Sequence, residues 1–262
     1  MACAFVLLAG CSSAQSADTA ASPTASAHTR SIARPALPKG FVYLADVAPA
    51  IVQDIRYARP FNFVGRPIAG YGSPECILTQ AAARALAKVQ QEFEDADLTL
   101  RVYDCYRPAR ASADFLAWST TPDQRMKGQF YPNVAKSRLF AEDYIESKSA
   151  HSRGSTVDLT FERLPVRPSD EFVPGQPLKS CVGRWVDRFH DGSIDMGTNF
   201  DCLDPLSHYD SYAGNVAEAH RKLLHDTMKR NGFLPVPKAW WHFTFAGEPF
   251  PSTYFDFPIA AR

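Results

Sequence analysis

The chain has 262 residues, enough for one large domain with a substantial core. Its 28 basic and 28 acidic residues cancel and no block of like charge occurs. Nucleic acid is therefore excluded as an expected partner, because phosphate binding needs a positive face. No internal repeat is visible, and no linker after residue 40 argues for a second domain.

The first residues form an apolar run ending in Leu8-Ala9-Gly10-Cys11, which resembles a bacterial lipoprotein signal with Cys11 as the lipidated residue. The run is too short to span a bilayer. It lacks the positive flank of an ordinary secretory signal. Residues 12–39 are rich in Ser, Ala, Thr and Pro and read as a disordered tether, leaving 40–262 as the folded domain. The expected location is outside the cytoplasm, in the periplasm, anchored by lipid to a bacterial membrane.

In chain order, Phe41 to Tyr57 reads as extended, with a short strand at Ile51–Tyr57, and 62–67 as a turn-rich loop. Thr79 is placed to cap a helix to about Phe93, because Ala82, Ala85, Leu86, Val89 and Phe93 recur at helical spacing. A strand from Leu98 to Tyr106 puts Leu98, Leu100, Val102 and Asp104 on one side; Pro108 ends it, and a helix follows from Ala109 to Trp118. A short helix is expected around Arg138 to Glu146, then a strand at Val157–Phe161 and a Pro- and Gly-rich excursion over 162–200. Asn215 opens an amphipathic helix with Val216, Leu223, Leu224 and Met228, stopped at Asn231-Gly232; a closing strand runs from Trp240 to Phe245. Strands and helices mix without regular βαβ alternation. The expected class is α+β, a single domain with a mainly antiparallel central sheet flanked by helices.

Of six cysteines, Cys3 lies in the leader and Cys11 in the lipidation position, leaving Cys76, Cys105, Cys181 and Cys202. Four cysteines allow three pairings, and the sequence does not choose among them. Cys181 with Cys202, which closes a local loop, and Cys76 with Cys105 are favoured. No Cys-x-x-Cys spacing suggests a second metal site.

Metal-competent side chains concentrate in two stretches. In Ser149-Ala150-His151-Ser152-Arg153-Gly154-Ser155-Thr156-Val157-Asp158 a loop histidine and a strand carboxylate flank a tight turn at Gly154. In Trp240-Trp241-His242 a second imidazole shares a strand face with Trp240 and Thr244. Two polar strand faces plus the loop imidazole make a His/Asp/His set, and three protein ligands with one open position is the arrangement of a catalytic zinc. That places a zinc cleft on the sheet. A lone histidine is more often a satisfied polar group, so His190, His208, His220 and His225 keep that reading; His208, shortly after Asp201, is the one to follow as a supporting group.

The pattern Ser-x-His-x-x-Gly-x-x-x-Asp followed by a late Trp-His resembles the D-alanyl-D-alanine metallopeptidases, and more narrowly the dipeptidases of the vancomycin-resistance type. The narrower resemblance rests on Asp54-Ile55-Arg56-Tyr57, Asp104-Cys105-Tyr106-Arg107-Pro108, Tyr131-Pro132-Asn133, Phe200-Asp201 and the run from Glu248 to Pro258. It implies one zinc ion per chain held by His151, Asp158 and His242, and Arg107 as the transition-state stabiliser. It also implies that Tyr57, Asp104, Ser149 and Asp201 line a small pocket for the termini of a D-amino-acid dipeptide. In that family the residue three before the last ligand is a general-base glutamate; here it is Ala239. The implied activity is zinc-dependent hydrolysis of D-alanyl-D-alanine in cell-wall metabolism, impaired in this chain. The alternatives are a carboxypeptidase on longer peptidoglycan stems and a non-catalytic binder of D-alanyl-D-alanine termini.

Overall fold

The computed structural model describes residues 36–262. The expected signal segment 1–11 with Cys11, and the expected tether up to residue 35, lie outside the described residues. The strands are β1 (Phe41–Tyr43), β2 (Val52–Gln53), β3 (Ile77–Thr79), β4 (Leu98–Asp104), β5 (Thr156–Arg163), β6 (Phe233–Val236) and β7 (Ala239–Phe245). The helices are α1 (Leu44–Val47), α2 (Gln80–Glu94), α3 (Ala109–Ser119), α4 (Lys127–Phe130) and α5 (Asn215–Arg230). β1 and β3 pair antiparallel by themselves, while the central sheet has the order β2-β4-β5-β7-β6. Only its β2–β4 pair is parallel. The fold is α+β, as expected. Among the described residues no helix is long and apolar enough to cross a membrane.

One face of the sheet is apolar and takes the long helices. Leu100 and Val102 on β4 lie opposite Phe161 and Leu159 on β5. Phe161 meets Phe93 of α2 at a ring separation of 4.9 Å. Ala82, Leu86, Val89 and Phe93 are the buried stripe that the helical spacing of α2 predicts. Thr79 caps this helix by accepting a hydrogen bond from the Ala82 amide. Leu224 and Met228 do the same packing from α5.

The opposite face is polar at its centre, and a bulge decides which residues reach it. Val102 pairs with Leu159, but the next register point pairs Asp104 with Asp158. The extra residue turns Asp104 away from Leu100 and Val102 and onto the side of Asp158. Strict alternation, which grouped Asp104 with Leu98, Leu100 and Val102, fails at this point.

Two other expectations are corrected, and one strand is new. The strand over Ile51–Tyr57 shrinks to Val52–Gln53, because Arg56–Ala58 coils into a 3₁₀ turn. The helix around Arg138 to Glu146 does not form: Tyr144 and Ile145 both donate to the Leu139 carbonyl instead of the i−4 ladder, and Asp143 is left-handed at φ 53°. β6 was not anticipated. It contains Pro235 and is an edge strand, where a missing backbone donor does no harm.

Both favoured disulfides are present. Cys76–Cys105 joins the start of β3 to the end of β4, and Cys181–Cys202 closes part of the excursion. Past Arg163 the excursion has no strand, and α5 anchors its end and the loop that follows. The buried Arg221 guanidinium donates to the carbonyls of Met196, His208 and Leu206.

Candidate metal centre

The 3₁₀ turn Ala150–Arg153 begins at Ser149, whose hydroxyl accepts from the His151 amide at 3.3 Å. It ends at Gly154, left-handed at φ 82°; a Cβ there would lie 2.2 Å from Phe41 Cε1, so only glycine fits. The C-terminal run holds this turn from outside. Phe255 donates its amide to the Ser152 carbonyl, Arg153 pairs with Glu248 at 2.8 Å, and Phe250, Phe255 and Phe257 pack around Phe41. The chain leaves the turn directly into β5, carrying Asp158. β7 lies beside β5 with His242 directly opposite Asp158.

Three atoms converge. His151 Nε2 is 3.2 Å from Asp158 Oδ1 and 3.2 Å from His242 Nδ1, and His242 Nδ1 is 3.0 Å from Asp158 Oδ1. Asp158 Oδ1 is buried yet makes no aligned hydrogen bond. His151 Nδ1 lies 2.7 Å from the Cys105 carbonyl, which can only accept, so the proton sits on Nδ1 and Nε2 presents its lone pair. Ligands at ~2.0–2.2 Å around a tetrahedral ion are about 3.3–3.6 Å apart, within a few tenths of an ångström of this triangle. The donor set fits a divalent cation. Among the described residues it is the one group of three metal-competent side chains.

The electrostatics agree with that reading. Burial works to raise the Asp158 carboxyl, but the His151 and His242 imidazoles outweigh it and hold it below the usual carboxylate range. Arg107 stands beside the triangle, with Nη2 3.7 Å from Asp158 Oδ2 and Nη1 3.4 Å from Ser149 Oγ. Its guanidinium lies over the Tyr57 and Phe115 rings. Burial opposes the charge on Arg107, but Asp104 and the surrounding groups keep it firmly protonated.

The triangle opens into a cavity of about 330 Å³. Tyr57, Arg107, Ser149, His151, Asp158, Asp201, Ala239, Trp241 and His242 all line it. Tyr57 donates to Asp201 Oδ2 at 2.9 Å. Asp201 adopts φ 58°, a left-handed backbone that costs a non-glycine residue energy. Burial, with Asp158 nearby, pushes its carboxyl up to about 7. Burial and Asp201 likewise push the Tyr57 phenol well above its ordinary value.

Asp104 does not line the cavity. It is fully buried behind Arg107, accepting from Arg107 Nε at 2.9 Å and from Tyr71 at 2.6 Å, and it lies 3.4 Å from His151 Nδ1. Its place is that of a support for the Arg107 guanidinium and the His151 ring. His208 also stays outside, next to the ring of Tyr144 in the cavity wall. Residues not anticipated in the lining include Phe63, Phe115, Tyr144, Glu146 and Lys238. Lys238 carried the one available signal, being adjacent to Ala239; it donates to the Glu142 carbonyl and so ties β7 to the opposite wall.

The mixed sheet thus carries a His/Asp/His set that could hold a metal ion, at the mouth of a small cavity. The sequence profile of a family described as D-ala-D-ala dipeptidase matches residues 38–167 and 187–260. A D-alanyl-D-alanine dipeptidase of Streptomyces coelicolor is 36% identical over 222 residues, covering 84% of this chain and 98% of the relative. One from Enterococcus faecium is 32% identical over the same shares of the two chains. One from Escherichia coli K12 is 30% identical over 203 residues, 77% of this chain and 82% of the relative. The chain belongs to the D-ala-D-ala dipeptidase family.

Proposed function

We propose that the protein is a zinc-dependent hydrolase of D-alanyl-D-alanine whose turnover is held back by alanine at position 239. The observation that supports it is the triangle of His151, Asp158 and His242 beside a protonated Arg107, opening into a cavity of dipeptide size. The ion would supply Lewis acidity, polarising the scissile carbonyl and making water a nucleophile near neutral pH. Zinc suits two imidazoles and one carboxylate better than a hard oxygen-seeking ion does.

The chain's own groups account for the remaining steps. Asp201, when ionised, takes the substrate's free ammonium, and Tyr57 holds that carboxylate in place by its 2.9 Å hydrogen bond. Ser149 faces the cavity from the turn that presents His151 and suits the substrate carboxylate or a backbone group. Arg107 is the donor for the developing oxyanion, and Asp104 fixes its fork in direction. Its guanidinium is charged before the reaction starts, so little reorganisation is needed as charge builds.

A proton must still leave the attacking water and reach the departing amine. Ala239 lines the cavity and has no group for that transfer. Loss of a general base typically lowers rate by ~10²–10⁴-fold. The same residue favours a second reading, a protein that binds D-alanyl-D-alanine termini and does not cleave them. Assay of Ala239→Glu against free dipeptide and against a pentapeptide stem separates the readings. A rise of about that size on the dipeptide alone supports the dipeptidase. Unchanged, negligible turnover with ligand binding intact supports the binder, and equal cleavage of both substrates supports a carboxypeptidase.

The proposed location is extracytoplasmic, with lipid on Cys11 and two disulfides suited to an oxidising compartment. Incorporation of a fatty-acid label that disappears in Cys11→Ser checks the anchor.

A further inference from the structure

Four carboxyl side chains line the metal cavity: Asp143, Glu146, Asp158 and Asp201. Three of them are engaged. Asp158 stands between the two imidazoles, Asp201 accepts from Tyr57, and Asp143 Oδ2 lies 3.5 Å from Lys238 Nζ. Glu146 has neither a hydrogen bond nor an ion pair among the described residues. It is exposed, so its carboxylate moves on a flexible stem and keeps its lone pairs for water or substrate.

The backbone on either side of Glu146 is pinned. Before it, the Tyr144 and Ile145 amides both donate to the Leu139 carbonyl, and Ile145 is buried. After it, the Lys148 ammonium lies 4.4 Å from the Tyr254 ring centre, and Ser149 opens the turn that presents His151. The segment that carries Ala239 is tied to the same wall, because Lys238 Nζ donates to the Glu142 carbonyl at 2.7 Å. Glu146 and Ala239 therefore line one cavity from two segments that a hydrogen bond holds together. A general base acts by direct contact or through one intervening water, so the carboxylate need not sit on the strand that carries position 239.

We infer that Glu146 is the general base of this chain and carries the turnover that remains with alanine at 239. The inference rests on the hydrolase reading above. As the water oxygen bonds to the scissile carbonyl carbon, one water proton passes to the Glu146 carboxylate. When the carbon–nitrogen bond breaks, Glu146 returns that proton to the departing nitrogen and is a carboxylate again. The second water proton leaves the new carboxyl group for the freed amine, so the products are a carboxylate and an ammonium. Arg107 and Asp201 keep the parts already given to them.

Four proteins test the inference: the parent, Glu146→Gln, Ala239→Glu and the double variant, each loaded with zinc and assayed on D-alanyl-D-alanine. Glu146→Gln should lower the parent's kcat by about 10²-fold or more with little change in KM, because glutamine keeps the shape and takes no proton. In the Ala239→Glu background the same replacement should cost about tenfold less or better, since two carboxylates serving one step are not additive. Zinc content, and dipeptide binding by calorimetry, should match between the parent and Glu146→Gln, which separates proton transfer from recognition. The inference is overturned if the parent has no turnover or if Glu146→Gln leaves the parent's kcat intact. An equal loss in both backgrounds, or a loss that follows weaker dipeptide binding, also overturns it. In each of these cases turnover by Ala239→Glu leaves the hydrolase reading standing, whereas no turnover by any of the four proteins sinks that reading as well.

Discussion

Asp158 Oδ1 and His242 Nδ1 lie 3.0 Å apart because the two residues are directly opposed partners on β5 and β7. The sheet register therefore fixes two corners of the metal triangle, and only the third, His151, depends on a turn. Slipping β7 by one residue would replace His242 with Trp241 or Phe243, so fold stability and ligand geometry are tied together here.

Arg107 stands to separate chemistry from metal binding. Arg107→Lys keeps a positive charge but loses the fork that contacts Asp104 and Ser149. In an Ala239→Glu background, kcat on D-alanyl-D-alanine is expected to fall by roughly 10²–10³-fold, as for loss of one oxyanion donor. Zinc content should not change. Steady-state kinetics with elemental analysis of the same samples checks both; an unchanged kcat would remove Arg107 from the reaction.

Asp201 predicts a pH dependence of stability in the metal-free protein. Its carboxyl is raised to about 7 by burial and Asp158, so between the ordinary carboxylate pKa and about 7 the folded state holds a proton that the unfolded state has lost. Stability from this group is then greatest at low pH and declines as pH rises toward 7, by at most about 1.4 kcal/mol per pH unit. Asp201→Asn, which cannot ionise, should lose that slope. Urea unfolding of the two proteins across pH 4–7 measures the difference, and parallel curves would count against it.

Gly154 predicts a local failure with a visible cause. Gly154→Ala forces an L residue to φ 82° and drives a methyl into the Phe41 ring. The expected loss is at least ~1–3 kcal/mol, together with weaker metal binding, because the turn that ends at Gly154 presents His151. Thermal unfolding with and without added zinc reads both effects. A variant as stable as the parent would mean the aromatic cluster yields easily.

How far the sequence revealed this arrangement depends on how local each signal is. The α2 stripe, its Thr79 cap and the β5 alternation are set by neighbours in the chain, and the structure has them as read. The convergence of His151, Asp158 and His242 was also legible, through a spaced motif and strand polarity. Asp104 was misplaced because a bulge between Val102 and Asp104 leaves no mark in the alternation. The segment around Arg138 to Glu146 has helix-forming composition, but its Tyr144 and Ile145 amides go to the Leu139 carbonyl, and the ammonium of Lys136 just before it goes to the carbonyls of Thr121 and Asp123. Tertiary partners overrode local preference there. The cavity lined by Arg56, Arg101 and residues 169–172 was illegible, since it arises where these meet across long separations in the chain.

Most directly, elemental analysis of purified protein decides whether the triangle grips an ion. Wild-type protein, equilibrated with zinc and then desalted, should retain one zinc per chain, and Asp158→Asn, which preserves shape but removes the anionic ligand, should retain almost none. Equal zinc in the two proteins, or none in either, would contradict the account.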